Sequence, residues 1–178
     1  MVTRVTTFPI HTGSTGDDVR RVQRAIVRWR AYYSQMNHPP MTLPAVDGVF
    51  GPITDAAVRA FQTYMNTDGG TPMPVDGIVG PLTWTALGPY KEATPTVRLG
   101  ATGPVVLALQ KVLQEDYIDG GPFYTAALDG VFGTVTDAAV KAFQTDRSLV
   151  VDGIVGEHTW LAPAAAPGPT LDVAAGLT

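Results

Sequence analysis

The side chains best suited to catalysis in this sequence do not form a familiar catalytic pattern. Its three histidines have no partner at helical metal-ligand spacing: His11, His38 and His158. A zinc site needs such clustering. Hydrolysis of a glycosidic bond needs a carboxyl whose pKa is raised by an apolar setting, and none of the glutamates has one: Glu92, Glu115 and Glu157. We therefore expect no catalytic site, metal or cofactor.

The prominent aspartates belong to a pattern, Asp-Gly-apolar-apolar-Gly-x-x-Thr. Its four copies begin at Asp47, Asp76, Asp129 and Asp152. Asp-Gly is a turn dipeptide, because glycine tolerates positive φ and aspartate bonds nearby backbone. The second glycine precedes a predicted helix, so each copy is interpreted as a turn that launches a helix. We do not expect a calcium loop, because it would need oxygen ligands at alternate positions and residues 47–55 lack them.

Side chains that could bind a ligand occupy equivalent positions in the two halves. Carboxylates, amides and cations form hydrogen bonds, and tryptophan offers an apolar platform. The candidates are Asp47, Arg59, Gln62, Asp76 and Trp84, then Asp129, Lys141, Gln144, Asp152 and Trp160. Structural alternatives stay open: the tryptophans could pack the third helix, the glutamines could cap a groove, and the cations could lie on solvated helix faces.

This equivalence rests on an internal repeat. Residues 47–62 and 129–144 differ at three positions, and residues 75–84 match 151–160. The offset between copies falls from 87 to 82 to 76 residues. The first copy therefore has five and then six extra residues, which we interpret as loop insertions.

Apolar residues at helical spacing predict three helices in each copy. In the first copy they start near Asp17, Pro52 and Pro81. The predicted fold is all-α, with two tandem three-helix bundles joined by Asp-Gly turns. We expect an N-terminal arm (1–12), repeat 1 (13–90), a linker (91–96), repeat 2 (97–162) and a flexible Ala/Pro/Gly tail (163–178).

Taken together, the motifs resemble the peptidoglycan-binding domain found attached to wall amidases, carboxypeptidases and phage lysins. The resemblance rests on Gly-x-x-Gly-x-x-Val-x-x-Leu-Gln, the Asp-Gly-x-Phe-Gly helix start and Val-Asp-Gly-x-x-Gly-x-x-Thr-Trp. It covers about Gly13–Leu87 and Gly100–Leu161, although Val22 stands where the family usually has leucine. It implies a three-helix fold, no catalysis, and attachment to peptidoglycan through a shallow groove.

Net charge and the distribution of apolar residues argue against two classes of partner, nucleic acids and membranes. A net charge of −4 argues against general nucleic-acid binding, and no apolar run is long enough to span a membrane. The first residues lack the apolar core of a secretory signal. We therefore expect action at the cell wall after release by lysis, transport on a particle, or export by an unrecognised route.

Three functions fit these observations. The first is non-catalytic wall binding that targets or anchors a partner or particle. The alternatives are an adaptor in a phage or contractile injection particle and the targeting part of a wall hydrolase whose catalytic domain lies elsewhere. The second copy is expected to dominate binding because insertions could obstruct the first. A basic ridge on the first helix, Arg20, Arg24 and Arg28, could touch anionic polymers or lie on an ordinary exposed face.

Overall fold

The computed structural model describes residues 8–32, 41–67, 70–88, 93–115, 121–165 and 168–177. These residues form helices and isolated β-bridges, without a longer strand among them, which confirms the all-α prediction. The helices are α1 (Asp17–Tyr32), α2 (Pro52–Thr67), α3 (Pro81–Ala86), α4 (Pro104–Gln114), α5 (Thr134–Asp146), α6 (Glu157–Trp160) and α7 (Leu171–Ala174). None of the helices in the described ranges is long and apolar enough to cross a membrane.

The chain divides into two compact units, residues 1–30 with 36–92 and residues 31–35 with 93–178. In both, the helix starts follow from local chemistry. Asp17 and Asp18 place negative charge in the first turn of α1, where the helix dipole favours it. Proline occupies the first position of α2, α3 and α4, where the missing N–H has no intrahelical partner to lose.

The predicted inward stripe of the second helix in each unit needs correction. Ile53 lies at helical spacing from Ala57, and Val135 at the same spacing from Ala139, so the apolar pattern predicts both on the inward face. They are instead 50% and 53% exposed. The neighbouring threonines, Thr54 and Thr136, are buried instead. Each threonine hydroxyl can be buried because it accepts a hydrogen bond from the glutamine of the preceding helix and donates one to a carbonyl of the turn.

Residues 8–12, the described part of the predicted N-terminal arm, belong to the first unit. Ile10 pairs with Val79, and Thr15 pairs with Val49. The second unit has the corresponding bridges, Val97 with Val155 and Thr102 with Val131. The segment before α1 therefore runs beside both Asp-Gly turns of its unit, and its Ile10 is 3% exposed.

The extra residues of the first copy lengthen helices as well as loops, which corrects the loop-insertion interpretation. Helix α1 has 16 residues against 11 in α4, and α2 has 16 against 13 in α5. Trp29 in the added part of α1 packs edge-on against Phe61 at 5.2 Å and Tyr64 at 5.3 Å. Apolar burial of this kind stabilises the longer helix.

The prediction of a flexible tail is also wrong where the tail is described. The turn before α7 is closed by bonds from Ala164 N to Pro169 O and from Leu171 N to Ala162 O. Leu171 is fully buried in the core of the second unit, together with Trp160. Composition suggested flexibility, but a single large apolar side chain is enough to pin a short segment to an existing core.

Candidate functional site

Each Asp-Gly turn is held by one glutamine from the preceding helix. In the first turn, the Gln23 Nε2 amide donates to Asp47 Oδ1 at 2.8 Å and to Thr54 Oγ1 at 3.3 Å. Its Oε1 accepts from Gly48 N at 2.9 Å. The side chain thus joins the middle of α1, the turn and the start of α2.

The same arrangement occurs at the other three turns. Their glutamines are Gln62, Gln110 and Gln144, and each bonds the turn aspartate, the turn glycine and the launching threonine. All four glutamines are at most 1% exposed. Burial without partners would be costly for an amide, and here both ends of each amide are bonded.

The turn aspartate Asp152 is hydrogen-bonded within its turn and is also exposed to solvent. Oδ1 of Asp152 accepts from Gln144 Nε2 at 2.9 Å and from Ile154 N at 2.8 Å. The backbone N–H of Ile154, followed by the Gln144 amide, holds the pKa of Asp152 below its ordinary value, and Lys141 adds a small contribution. The residue is nevertheless exposed, so its charge is presented to solvent.

Two further turn aspartates have lowered pKa values. For Asp47 the largest cause is the bond from Val49 N, followed by the Gln23 amide. For Asp129 the Gln110 amide comes first and Val131 N second. Hydrogen bonds to the charged form favour it, so these turns carry ionised carboxylates at neutral pH.

A cation lies beside the second turn of each unit, between two carboxylates. Arg59 Nε donates to Asp55 Oδ2 at 2.7 Å, and Arg59 Nη1 donates to Val75 O at 3.2 Å. The hydrogen bond that Arg59 donates to Asp55 is the main cause of a raised Arg59 pKa, and the charge of Asp76 contributes to the same shift. We call the residues Asp55, Arg59 and Asp76 the first charged triad.

The second charged triad consists of Asp137, Lys141 and Asp152. Lys141 Nζ donates to Asp137 Oδ2 at 2.7 Å, and the Lys141 side chain is 45% exposed. Each triad is an exposed site with one donor cation and two acceptor groups. Such a site can exchange its surface ion pair for hydrogen bonds to a polar ligand at little cost, because exposed ion pairs are weak.

The predicted tryptophans have different surroundings. Trp160 is fully buried, and its Nε1 donates to Pro95 O at 2.9 Å. Trp84 is half-buried, with the Phe8 ring 5.7 Å away edge-on and the Arg21 guanidinium 4.8 Å from its centroid. Only Trp84 offers part of an indole to solvent.

The predicted site residues therefore fall into two classes. Gln62, Gln144 and Trp160 lie inside the fold with their polar atoms bonded, which favours the structural alternative for these three residues. The accessible members are Asp47, Arg59, Asp76, Trp84, Asp129, Lys141 and Asp152. Sequence reasoning missed Asp55 and Asp137, although their i,i+4 spacing from a cation is a readable signal.

The predicted basic ridge is wrong at one end. Arg28 is 1% exposed. Arg20 is half-buried and is engaged by Asp17 Oδ1 at 3.0 Å and Asp47 O at 3.1 Å. These arginines therefore do not form a continuous free cationic face. In the part of the chain that the structure describes, no cluster of His, Asp or Glu could hold a metal ion, and His38 lies outside the described residues.

Comparison with known proteins adds the family. The model of the family described as "Putative peptidoglycan binding domain" matches residues 15–87 and 102–162, which is most of the chain. The solved N-terminal domain of SleB is 38% identical over 36% of this chain and 81% of that domain, with a TM-score of 0.32.

Curated relatives match over a single stretch. An "uncharacterized protein in bpoA1 3′ region" of Kitasatospora aureofaciens is 42% identical over 41% of this chain and 58% of its own length. Spore cortex-lytic enzymes of Halalkalibacterium halodurans and Oceanobacillus iheyensis are 45% and 36% identical over 34% and 39% of this chain. The matched stretch spans 17% and 24% of those two enzymes.

Proposed function

Because this chain belongs to the family of putative peptidoglycan binding domains, we propose that it binds bacterial cell-wall peptidoglycan without cleaving it. In this proposal, wall attachment targets or anchors a partner protein or particle. The observation that carries the proposal is that the family match occurs twice and each match contains an exposed charged triad at the same place.

The chemistry of the triads suits a polar, partly peptidic polymer. Wall peptides and sugars offer carboxylates, amides and hydroxyls, which need both donors and acceptors. Arg59 and Lys141 supply donors, and Asp76 and Asp152 supply acceptors that Gln62 and Gln144 hold in place from inside. A site whose supporting residues are buried and bonded is preorganised, which lowers the entropy lost on binding.

We propose that the second unit contributes more than the first, with the first unit adding avidity or holding a partner. The basis is that the first copy has five and then six extra residues, which are expected to obstruct its binding surface. Part of its second insertion is packed down, since Asn66 and Met73 exchange two hydrogen bonds at 2.8 and 2.9 Å. Residues 33–40 of the first insertion lie outside the described residues.

The experiment is sedimentation of the purified chain with purified sacculi, with and without wall teichoic acids. We expect the protein to pellet with sacculi in both cases, and we expect no release of reducing ends or free amines. Pelleting that disappears once teichoic acids are removed would show that the wall polymer, and not peptidoglycan, is the ligand. Hydrolysis by repurified protein would contradict the non-catalytic part.

A second candidate is that this chain is the targeting part of a wall hydrolase. The observation in its favour is that two relatives are spore cortex-lytic enzymes in which the matched stretch is a small part of the whole. Fusing the chain to a wall hydrolase stripped of its own binding module should then raise cleavage of sacculi but not of a soluble fragment. Equal stimulation on both substrates would contradict targeting.

A further inference from the structure

The second unit has a groove between α4 and α7 that lies apart from the charged triad. Its volume is about 410 Å³, within the range of about 300–1,000 Å³ typical of small-molecule sites. The residues that matter for its chemistry are Leu107, Ala108, Lys111, Val112, Glu115 and Ala174. We call it the α4–α7 groove.

The C-terminal tail builds one wall of this groove. Ala174 and Ala175 lie beyond residue 162, where the second family match ends. Buried Leu171 holds that wall in place. In the repeat alignment, Arg20 and Arg24 of the first unit occupy the positions of Leu107 and Lys111. The groove is therefore a property of this chain's second unit and its tail, and the repeated motif alone does not encode it.

The lining combines aliphatic surface with two opposite charges. Leu107, Ala108 and Ala174 present methyl groups, while Lys111 and Glu115 are exposed. The two charged residues are four apart on α4, so their Cβ atoms are about 5–6 Å apart on one helix face. Neither forms an ion pair with another residue within the described ranges. Among the residues that the structure describes, nothing competes with a ligand for these two charges.

This lining discriminates between the two parts of peptidoglycan. Sugar rings are usually held by an aromatic platform and neutral hydrogen-bonding groups, and the lining residues that the structure describes include no aromatic ring and no side-chain amide. A short peptide with small methyl side chains, a free carboxylate and a free ammonium group complements it in shape and charge. Lys111 would meet the carboxylate and Glu115 the ammonium group.

We propose that the α4–α7 groove binds the peptide part of peptidoglycan, specifically an uncross-linked stem peptide with a free amine and a free carboxylate. This inference rests on the proposed function. Cross-linking consumes that amine, so the groove would favour wall regions with few cross-links. The glycan strand would be left to other surfaces.

The test uses the full chain and a synthetic wall tetrapeptide containing alanine and lysine, followed by methyl NMR at Leu107 and Ala174. Lys111→Glu and the groove-filling Ala108→Leu should each raise the peptide Kd about tenfold or more, and Lys111→Arg should retain binding. The matched controls are Arg98→Glu, the same charge change at an exposed residue outside the groove lining, and Ala142→Leu on exposed α5 surface. Both controls should bind like the parent, and melting curves verify that every variant folds.

Three outcomes would overturn the inference: no shift at either methyl group, equal affinity for the peptide with its amine acetylated and its carboxylate amidated, or a groove response to an N-acetylglucosamine oligomer instead. Pelleting with sacculi tests the proposed function separately from the groove assignment. Pelleting by the parent chain without a peptide response would leave wall binding standing and the groove assignment wrong. A peptide response without pelleting would leave the groove assignment standing and contradict binding to the intact wall.

Discussion

Gly153 lies directly against the carboxylate of Asp137. Its φ is +72°, and a Cβ at this position would overlap Asp137 Oδ1 and approach Lys141 Cε to 3.0 Å. Gly77 has the same relationship to Asp55 in the first unit, with φ +69°. The second turn of each unit is therefore shaped to let the ion pair of the charged triad rest on bare backbone.

Replacing Gly153 with alanine should destabilise the second unit. The left-handed conformation costs a non-glycine residue about 1–3 kcal/mol, and the overlap with Asp137 adds to it. Urea denaturation measures the loss. The control is Gly156→Ala, because Gly156 has φ −96° and no atom within 4 Å of an added Cβ. Equal losses for the two variants would contradict this account.

Gln144→Ala should destabilise the second unit because the residue is buried and holds the turn. It leaves the buried turn groups without their amide partner, a penalty of about 1–3 kcal/mol for an unsatisfied buried group. Thermal melting provides the measurement, and Gln114→Ala, a glutamine with a single backbone bond to Ala126 O, is the milder control. Weaker pelleting of the folded variant with sacculi would reflect the lost support of Asp152, whereas melting equal to that of the parent would contradict the structural role of Gln144.

Lys141→Ala should weaken sacculus binding while leaving stability within about 1 kcal/mol, because its ion pair with Asp137 is exposed. Arg59→Ala is the matched variant in the first unit, and we expect a smaller loss of binding there. Sedimentation isotherms at fixed ionic strength compare the two. Equal losses would remove the proposed asymmetry, and a loss confined to Arg59→Ala would reverse it.

Stability should fall on acidification through the turn aspartates. The pKa of Asp152 is lowered in the folded protein, so its contribution is fully present above the unfolded value of about 3.9. It is lost as pH falls through the lower folded value. Urea melts from neutral pH down to strongly acidic pH should show a shallower decline for Asp152→Asn than for the parent. An identical decline would mean that this carboxylate is not linked to folding.

Leu171→Ala should expose the core of the second unit. Leu171 is fully buried beside Trp160, and leucine-to-alanine changes in cores cost about 2–5 kcal/mol. Melting reports the stability, and iodide quenching reports access to tryptophan. Val150→Ala is the control, since Val150 is 79% exposed. A variant as stable and as poorly quenched as the parent would show that the tail is dispensable to the core.

The sequence alone determined the repeated elements. The four Asp-Gly patterns, the proline helix starts and the helical spacing of apolar residues act locally, through backbone conformation and periodicity. They correctly predicted the three helices of each repeat, the turns and the family, but not α7. The same local rules apply to the glycines: Gly130 and Gly153 of the Asp-Gly dipeptides have positive φ, whereas Gly133 and Gly156, which precede helices, have φ of −85° and −96°.

Tertiary structure decided which side chains remain available. Gln144 and Trp160 resemble ligand-binding residues in sequence, but their partners, Asp152 and Pro95, lie 8 and 65 residues away, and packing removes them from the surface. The tail reads as flexible because alanine, proline and glycine dominate it, yet one leucine finds a core built by residues distant in sequence. Burial depends on these long-range contacts, and periodicity within one element does not contain them.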